Sequence, residues 1–198
     1  GDDVLDVGCG NARIFKEIKS KRVNYLGIDF VQEFIDKNRN EHKNARFKIV
    51  DITKQQSWQK ITKKFDVVFC IAVLHHIPTK EIQANIIKEI NNHLRKDGKL
   101  VLTVWNLWQK RFWRNHIRQI YKKILAGFKI KWLWIPYKIS DGKDVVTEVN
   151  RFHYSFTKNE LVKLIRKNGL KIKEAYYSDR GSKSDWKQGR NLCFVAEK

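Results

Sequence analysis

A glycine-rich turn between a short apolar strand and a helix, followed by a regular repetition of the same two element types, constrains this chain more than any other feature. Val4–Val7 is an apolar run that ends at Gly8-Cys9-Gly10, and Ala12–Lys21 then places Ile14, Phe15 and Ile18 on one helical face. Tyr25–Ile28 reads as a second strand, and Val31–Lys37 opens a second helix. Phe47–Val50 is a third strand ending at Asp51, and Gln55–Ile61 a short helix. Phe65–Val73 is almost wholly apolar, as suits a central strand buried on both faces. Thr79–Leu94 recurs at helical spacing through Ile82, Ile86, Ile87 and Ile90, with Thr79 as its cap. Lys99–Val104 is a fifth strand after the Asp97-Gly98 turn. This rhythm predicts an α/β fold with a parallel sheet and helices on both faces.

The rhythm breaks after Trp105. From Asn106 to Asn150, Lys and Arg interleave with Trp108, Phe112, Trp113, Tyr121, Phe128, Trp132, Trp134 and Tyr137. Trp108–Leu125 reads as a helix, and Pro136 marks an irregular stretch. The segment is too short for its own core, so it is expected to be an insertion or lid within a single domain spanning 1–198. Most of its aromatics are expected to be buried and most of its cations exposed. The regular pattern then resumes: Thr157 caps a helix through Asn168 that Gly169 stops, and Leu170–Tyr177 and Asn191–Glu197 are strands flanking the polar loop Ser178–Arg190. The chain opens almost directly on a strand and contains no Met, which suggests a segment upstream of residue 1.

Charge narrows the partners. The 198 residues carry 41 Lys and Arg against 21 Asp and Glu, a formal +20 that implies an anionic partner, usually nucleic acid. A Lys-rich proteome is the alternative source of that charge. Lys110, Arg111, Arg114, Arg118, Lys122 and Lys123 are the candidate phosphate contacts, with neighbouring aromatics available to stack on unpaired bases. A basic amphipathic helix also suits an anionic membrane. No apolar run is long enough to span a bilayer, and no signal peptide opens the chain. Cys9, Cys70 and Cys193 have no metal-ligand spacing and form no disulfide framework, so they read as reduced thiols of a cytoplasmic protein without a metal.

Three carboxylates carry the chemistry. Asp6 precedes the glycine turn, where a helix N-terminus offers free N–H groups. Asp29 ends the second strand about twenty residues later, the place of a carboxylate that accepts from ribose hydroxyls. Asp51 ends the third strand, where it could meet an adenine amino group. Any one of them alone reads as a turn or cap, but together with the glycine loop they form a coherent nucleoside pocket.

Val-Leu-Asp-Val-Gly-Cys-Gly, then Leu-Gly-Ile-Asp, Val-Asp-Ile and Phe-Asp-Val-Val, resembles the class I S-adenosylmethionine-dependent methyltransferases over nearly the whole chain. The resemblance implies a Rossmann-like, seven-stranded sheet whose last strand runs antiparallel, with S-adenosylmethionine over the C-terminal strand ends. It assigns Asp6, Gly8, Cys9 and Gly10 to the methionine end, Asp29 and Phe30 to the ribose, Asp51 and Ile52 to the adenine, and Ile71 and Ala72 to the edge after the fourth strand. Ala12 stands where many members have a third glycine, and only a slight rearrangement is expected.

A narrower resemblance lies in Ile71-Ala72-Val73-Leu74-His75-His76, Val104-Trp105-Asn106-Leu107-Trp108-Gln109 and Arg151-Phe152-His153-Tyr154. These segments are similar to the methyltransferases that esterify the carboxymethyl group on tRNA wobble uridine. Asn106 replaces an alanine, and His153 and Tyr154 stand in exchanged order. The resemblance implies a tRNA partner and allows a small activator subunit, since some eukaryotic members use one. A carboxylate acceptor is ionised at neutral pH and needs orienting donors rather than a base. Arg151 suits that role through its planar fork, with His75, His76, His153 and Tyr154 to orient the acceptor or its base. Two alternatives stay open: a methyltransferase for a small or lipid-like metabolite, and a non-catalytic RNA-binding adaptor on the same fold.

Overall fold

The computed structural model describes residues 1–117, 132–140 and 146–198. Its main sheet is built from β1 (Asp2–Val7), β2 (Val23–Asp29), β3 (Arg46–Ile49), β4 (Phe65–Ile71), β5 (Leu94–Trp105), β8 (Lys171–Asp179), β9 (Ser182–Ser184) and β10 (Asn191–Glu197). The strand order is β3-β2-β1-β4-β5-β10-β8-β9. The pairs β1–β2, β2–β3, β1–β4 and β4–β5 are parallel, whereas β10 runs antiparallel to both β5 and β8. The sheet therefore has eight strands rather than seven. The extra one is short β9, which folds back on β8 within the stretch expected to be a plain polar loop.

The helices are α1 (Arg13–Ile18), α2 (Gln32–Glu41), α3 (Lys80–His93) and α4 (Lys158–Lys167). Val68, Ile86, Ile87, Leu161, Ile165 and Phe194 belong to one buried cluster, so α3 and α4 close the same face of the sheet. Phe15 of α1, Ile35 of α2, Tyr25 and Phe47 form the other cluster. Gln55–Lys60 is a 3-10 turn, not an α-helix, and it buries Trp58. β5 begins earlier than the pattern suggests, at Leu94, and takes in Asp97 at φ 61.

The segment after Trp105 departs most from expectation. Lys110–Phe112 forms a 3-10 turn, residues 113–117 are α-helical as expected, and the part of the expected helix beyond residue 117 lies outside the described residues. Pro136 stands inside a strand: β6 (Trp132–Ser140) pairs antiparallel with β7 (Val146–Tyr154), and Pro136 faces Asn150 in register. A two-stranded ribbon has no central strand, so a proline that lacks an N–H is tolerated there. The expected burial of aromatics also fails among the described residues. Trp113, Trp134 and Tyr137 are 49%, 47% and 45% exposed, because such a ribbon has too few layers to cover large rings.

Helix α4 shows how the sequence sets its ends. Thr157 Oγ1 accepts from the Glu160 N–H, while Glu160 returns a carboxylate oxygen to the Thr157 N–H, a complete capping box. Thr157→Ala is expected to lower unfolding free energy by about 1 kcal/mol, with Thr157→Ser close to unchanged; urea denaturation measures both.

Candidate functional site

The strand order reverses direction at β1, which has β2 on one side and β4 on the other. In open α/β sheets the crevice at such a reversal, beyond the C-terminal strand ends, is where ligands bind. A cavity of about 730 Å³ opens there, within the range of small-molecule sites. The loops after β1, β2, β3 and β4 each contribute to its lining: Gly8 and Gly10, Asp29 and Phe30, Asp51 and Ile52, and Ala72.

The loop after β1 is held by specific bonds. Asp29 accepts from the Gly10 N–H at 2.9 Å through one oxygen and from the Val31 N–H at 3.0 Å through the other. Asn38, fully buried on α2, donates to the Gly10 carbonyl at 2.6 Å. Gly8 has φ +71, and a Cβ there would stand 2.5 Å from Val73 Cγ2. Gly10 has φ +48 with open space where its Cβ would be. Ala12 and Ala72 also have positive φ, 56 and 58, a conformation costly for any residue but glycine. Ala12 thus adopts the backbone of the glycine it replaces. Asp51 accepts from the Thr53 N–H and hydroxyl and pairs with Lys54. Burial would raise its pKa, but these contacts outweigh it and hold the carboxyl below its ordinary value.

Three expected cofactor residues do not line the cavity. Cys9 and Ile71 lie behind it, and burial pushes the Cys9 thiol well up. Asp6 is 2% exposed beneath the loop and accepts from the Tyr25 hydroxyl at 2.6 Å. Sequence reading missed Asn38, Phe34, Thr53, Val73, Pro78 and Phe152. Asn38 carried a signal: it follows Ile35 by three positions, placing an amide on the buried face of a helix whose interior disfavours Asn.

Of the remaining candidates, the ribbon places Arg151 against the same cavity. Arg151 of β7 lines it, as does His76 after β4, and the Arg151 guanidinium lies 4.3 Å above the Tyr137 ring. Successive strand residues face opposite ways, so Arg151 and His153 share a face that Tyr154 does not. Tyr154 is buried against Phe156 and donates to Glu160 at 3.3 Å, so it reaches no cavity. His75 is also fully buried and does not line the cavity.

His75, His153 and Trp105 lie with their rings nearly parallel, and His76 packs against this cluster at a tilt. The His75–His76 centroids are 4.3 Å apart, His76–His153 4.7 Å and Trp105–His153 4.9 Å. Burial, then neighbouring positive charge from the other imidazoles and Arg151, drives the His75 pKa far down. Burial also lowers His76, and brings His153 to about 4 against the pull of the Arg151 carbonyl. All three rings are therefore neutral at physiological pH. Carbonyl oxygens only accept, so the bonds from His153 Nδ1 to Arg151 O at 2.9 Å and from His76 Nδ1 to Phe152 O at 3.3 Å place those protons on Nδ1. His75 Nδ1 accepts from the Trp105 N–H, which places its proton on Nε2. The three imidazoles lie close enough to share a metal ion, with ligand atoms within 4.8 Å of one another.

Lys110, Arg111 and Arg114 are exposed, as phosphate contacts must be, whereas Arg118, Lys122 and Lys123 lie outside the described residues. Among the described residues no helix is long and apolar enough to cross a membrane.

Residues 5–100 match the family model described as a methyltransferase domain. The chain is 31% identical over 110 residues to the probable tRNA methyltransferase 9B of Mus musculus, covering 56% of this chain and 23% of that protein. It is 30% identical over 122 residues to the tRNA (carboxymethyluridine(34)-5-O)-methyltransferase alkbh8 of Xenopus tropicalis, covering 56% and 16%. It thus spans less than a quarter of the length of either tRNA methyltransferase. A ubiquinone biosynthesis O-methyltransferase of Rickettsia canadensis is 25% identical over 194 residues, covering 96% of this chain and 72% of that one. A solved S-adenosylmethionine-dependent methyltransferase from Clostridium acetobutylicum has the same fold, with TM-score 0.74 and 16% identity over 98% of this chain and 83% of its own.

Asp6 makes a test of the buried frame. Burial, relieved only in part by the Tyr25 hydroxyl and reinforced by the Asp29 charge, raises its pKa from 3.8 to about 6. The folded state then binds more protons than the unfolded one between those values, so this group destabilises the fold as pH rises from about 4 to 6. Asp6→Asn keeps an acceptor for Tyr25 and removes the charge. It is expected to raise unfolding free energy by about 2 kcal/mol at pH 8, with the gain vanishing by pH 4, in urea titrations at both pH values.

Proposed function

We propose that this chain, a member of the class I S-adenosylmethionine-dependent methyltransferase superfamily, methylates RNA, with the carboxymethyl group of a tRNA wobble uridine as its acceptor. When bound, S-adenosylmethionine supplies a methyl carbon made electrophilic by its sulfonium. The backbone of Gly8 and Gly10 holds the methionine end, and a side chain at Gly8 would collide with Val73. Asp29 takes the ribose hydroxyls with oxygens already oriented by two N–H groups. Asp51 and Ile52 meet the adenine edge, with Phe30 beside them at the rim. Asp6, Cys9 and Ile71 act from behind, as supports.

The observation that carries the acceptor assignment is Arg151, which lines the cofactor cavity beside neutral His76. Among the described residues no carboxylate forms an ion pair with Arg151. A carboxylate nucleophile is already ionised, so the enzyme has only to hold it in line with the methyl carbon, with reacting atoms about 3 Å apart. The Arg151 fork binds and aims such a group. Its ring contact with Tyr137 fixes the direction of approach. The 30% identity over 122 residues to a tRNA (carboxymethyluridine(34)-5-O)-methyltransferase supports the same reading.

A second reading, O-methylation of a small or lipid-like metabolite such as a phenol, is favoured by the ubiquinone biosynthesis O-methyltransferase relative and by His76. With its proton on Nδ1, His76 has an Nε2 lone pair for general-base work that a carboxylate would not need.

Labelled methyl from S-adenosylmethionine is expected to enter tRNA carrying unesterified carboxymethyluridine, to be absent from tRNA lacking that group, and to leave on mild base treatment. Label on neither pool with cofactor bound would leave the phenol reading or a non-catalytic adaptor. Arg151→Ala is expected to cut kcat/KM for tRNA by about 10- to 100-fold, the loss of one charged hydrogen-bond pair, with cofactor affinity unchanged. Gly8→Ala is expected to abolish cofactor binding in calorimetry while the chain still folds.

A further inference from the structure

A second cavity, of about 400 Å³, lies on the far side of the histidine cluster. Its lining includes two cations, Arg111 and Arg190, and no carboxylate. The Arg190 Nε lies 2.8 Å from Asp179 Oδ1 in an ion pair without hydrogen-bond alignment, which holds the guanidinium beside the cavity and leaves its two terminal amino groups for an anion. The base of that arginine is fixed as well. Asn106 Nδ2 donates to the carbonyls of Trp186 and Gly189, both at 2.8 Å, and the Asn106 N–H donates to the Arg190 carbonyl. Two amides, Gln109 and Asn191, face the same space. Gln109 spends its Nε2 on the Asn106 carbonyl, so its Oε1 remains as an acceptor. Trp105 and Tyr137 supply flat apolar walls. Cations for a phosphate, in-plane donors and acceptors for a heterocycle edge, and rings for its face are together the recognition set for a nucleotide.

The position adds to this. His153 lines the second cavity and lies 4.7 Å from His76, which lines the first. Tyr137 lines the second and carries the Arg151 guanidinium of the first on its face. One layer of rings separates the two spaces.

We propose that the second cavity is a nucleotide subsite, holding the neighbour of the methylated nucleotide by its phosphate on Arg111 and Arg190 and by its base edge on Gln109 and Asn191. The subsite rests on the reading of the chain as an RNA methyltransferase and supplies the contacts by which RNA is told from a small phenol. Calorimetric titration of the full chain with uridine 5′-monophosphate and with uridine tests it without any methyl transfer. The monophosphate is expected to bind at least tenfold tighter than uridine. Arg190→Gln and Arg111→Gln are each expected to weaken it at least fivefold, with S-adenosylhomocysteine affinity and melting temperature unchanged. In tRNA methylation the same variants are expected to raise KM with kcat nearly constant. No monophosphate binding at millimolar concentration, or binding that neither variant alters, overturns the proposal, as does tighter binding of 4-hydroxybenzoate than of the monophosphate. If the variants lose monophosphate binding but no RNA accepts methyl, the subsite stands and the wobble-uridine assignment falls. If tRNA is methylated with KM unaltered in both variants, the assignment stands and the subsite falls.

Discussion

The carboxylate of Asp29 ties the loop after β1 to the loop after β2 by accepting one N–H from each, and the first cavity depends on that tie. The Gly8 and Cys9 N–H groups, which both donate to the Ile28 carbonyl, hold the start of the loop, and Asp29 fixes its Gly10 end. Asn38 closes the arrangement from α2 by taking the Gly10 carbonyl, so both polar groups of the Gly10 backbone are directed. The cost is visible beneath the loop, where Asp6 is a buried carboxylate with only a tyrosine hydroxyl to accept from. A carboxylate in such a position is kept against its own stability, as is common where a fold serves a charged ligand.

The β6–β7 ribbon adds what the sheet cannot provide. The sheet's strand ends present backbone and carboxylates, which suit a nucleoside. The ribbon brings a guanidinium and an imidazole down onto them, through alternation along β7. The cluster of Trp105, His153, His75 and His76 is a dry, neutral wall, because burial forbids charging all three imidazoles beside Arg151. That wall lets one cation dominate the field at the first cavity while two others are reserved for the second.

Asn106 illustrates how a departure from a family pattern acquires a physical reason. Where similar methyltransferases carry alanine, this chain has an amide that joins the end of β5 to the 186–189 loop by two hydrogen bonds. The exchanged order of His153 and Tyr154 has a similar meaning. Moving a residue by one place along a strand moves it to the other face, so the exchange puts the imidazole on the Arg151 side and the phenol in the core. Neither consequence was legible until the partner elements were in place.

The sequence by itself determined the alternation of strands and helices, the capped helices α3 and α4, and the places of Gly8, Gly10, Asp29 and Asp51 at the ends of the first three strands. Those features are written locally, in apolar periodicity, caps and turn residues, and each needs only its neighbours in the chain to be read. Tertiary structure alone decided that Asp6, Cys9 and Ile71 stand behind the cavity, that Pro136 sits in a strand, that His153 packs onto the His75-His76 pair, and that Arg111 and Arg190 flank a second cavity. Each of these depends on which face of an element meets another, and that is set by long-range packing and register, which residue spacing does not encode.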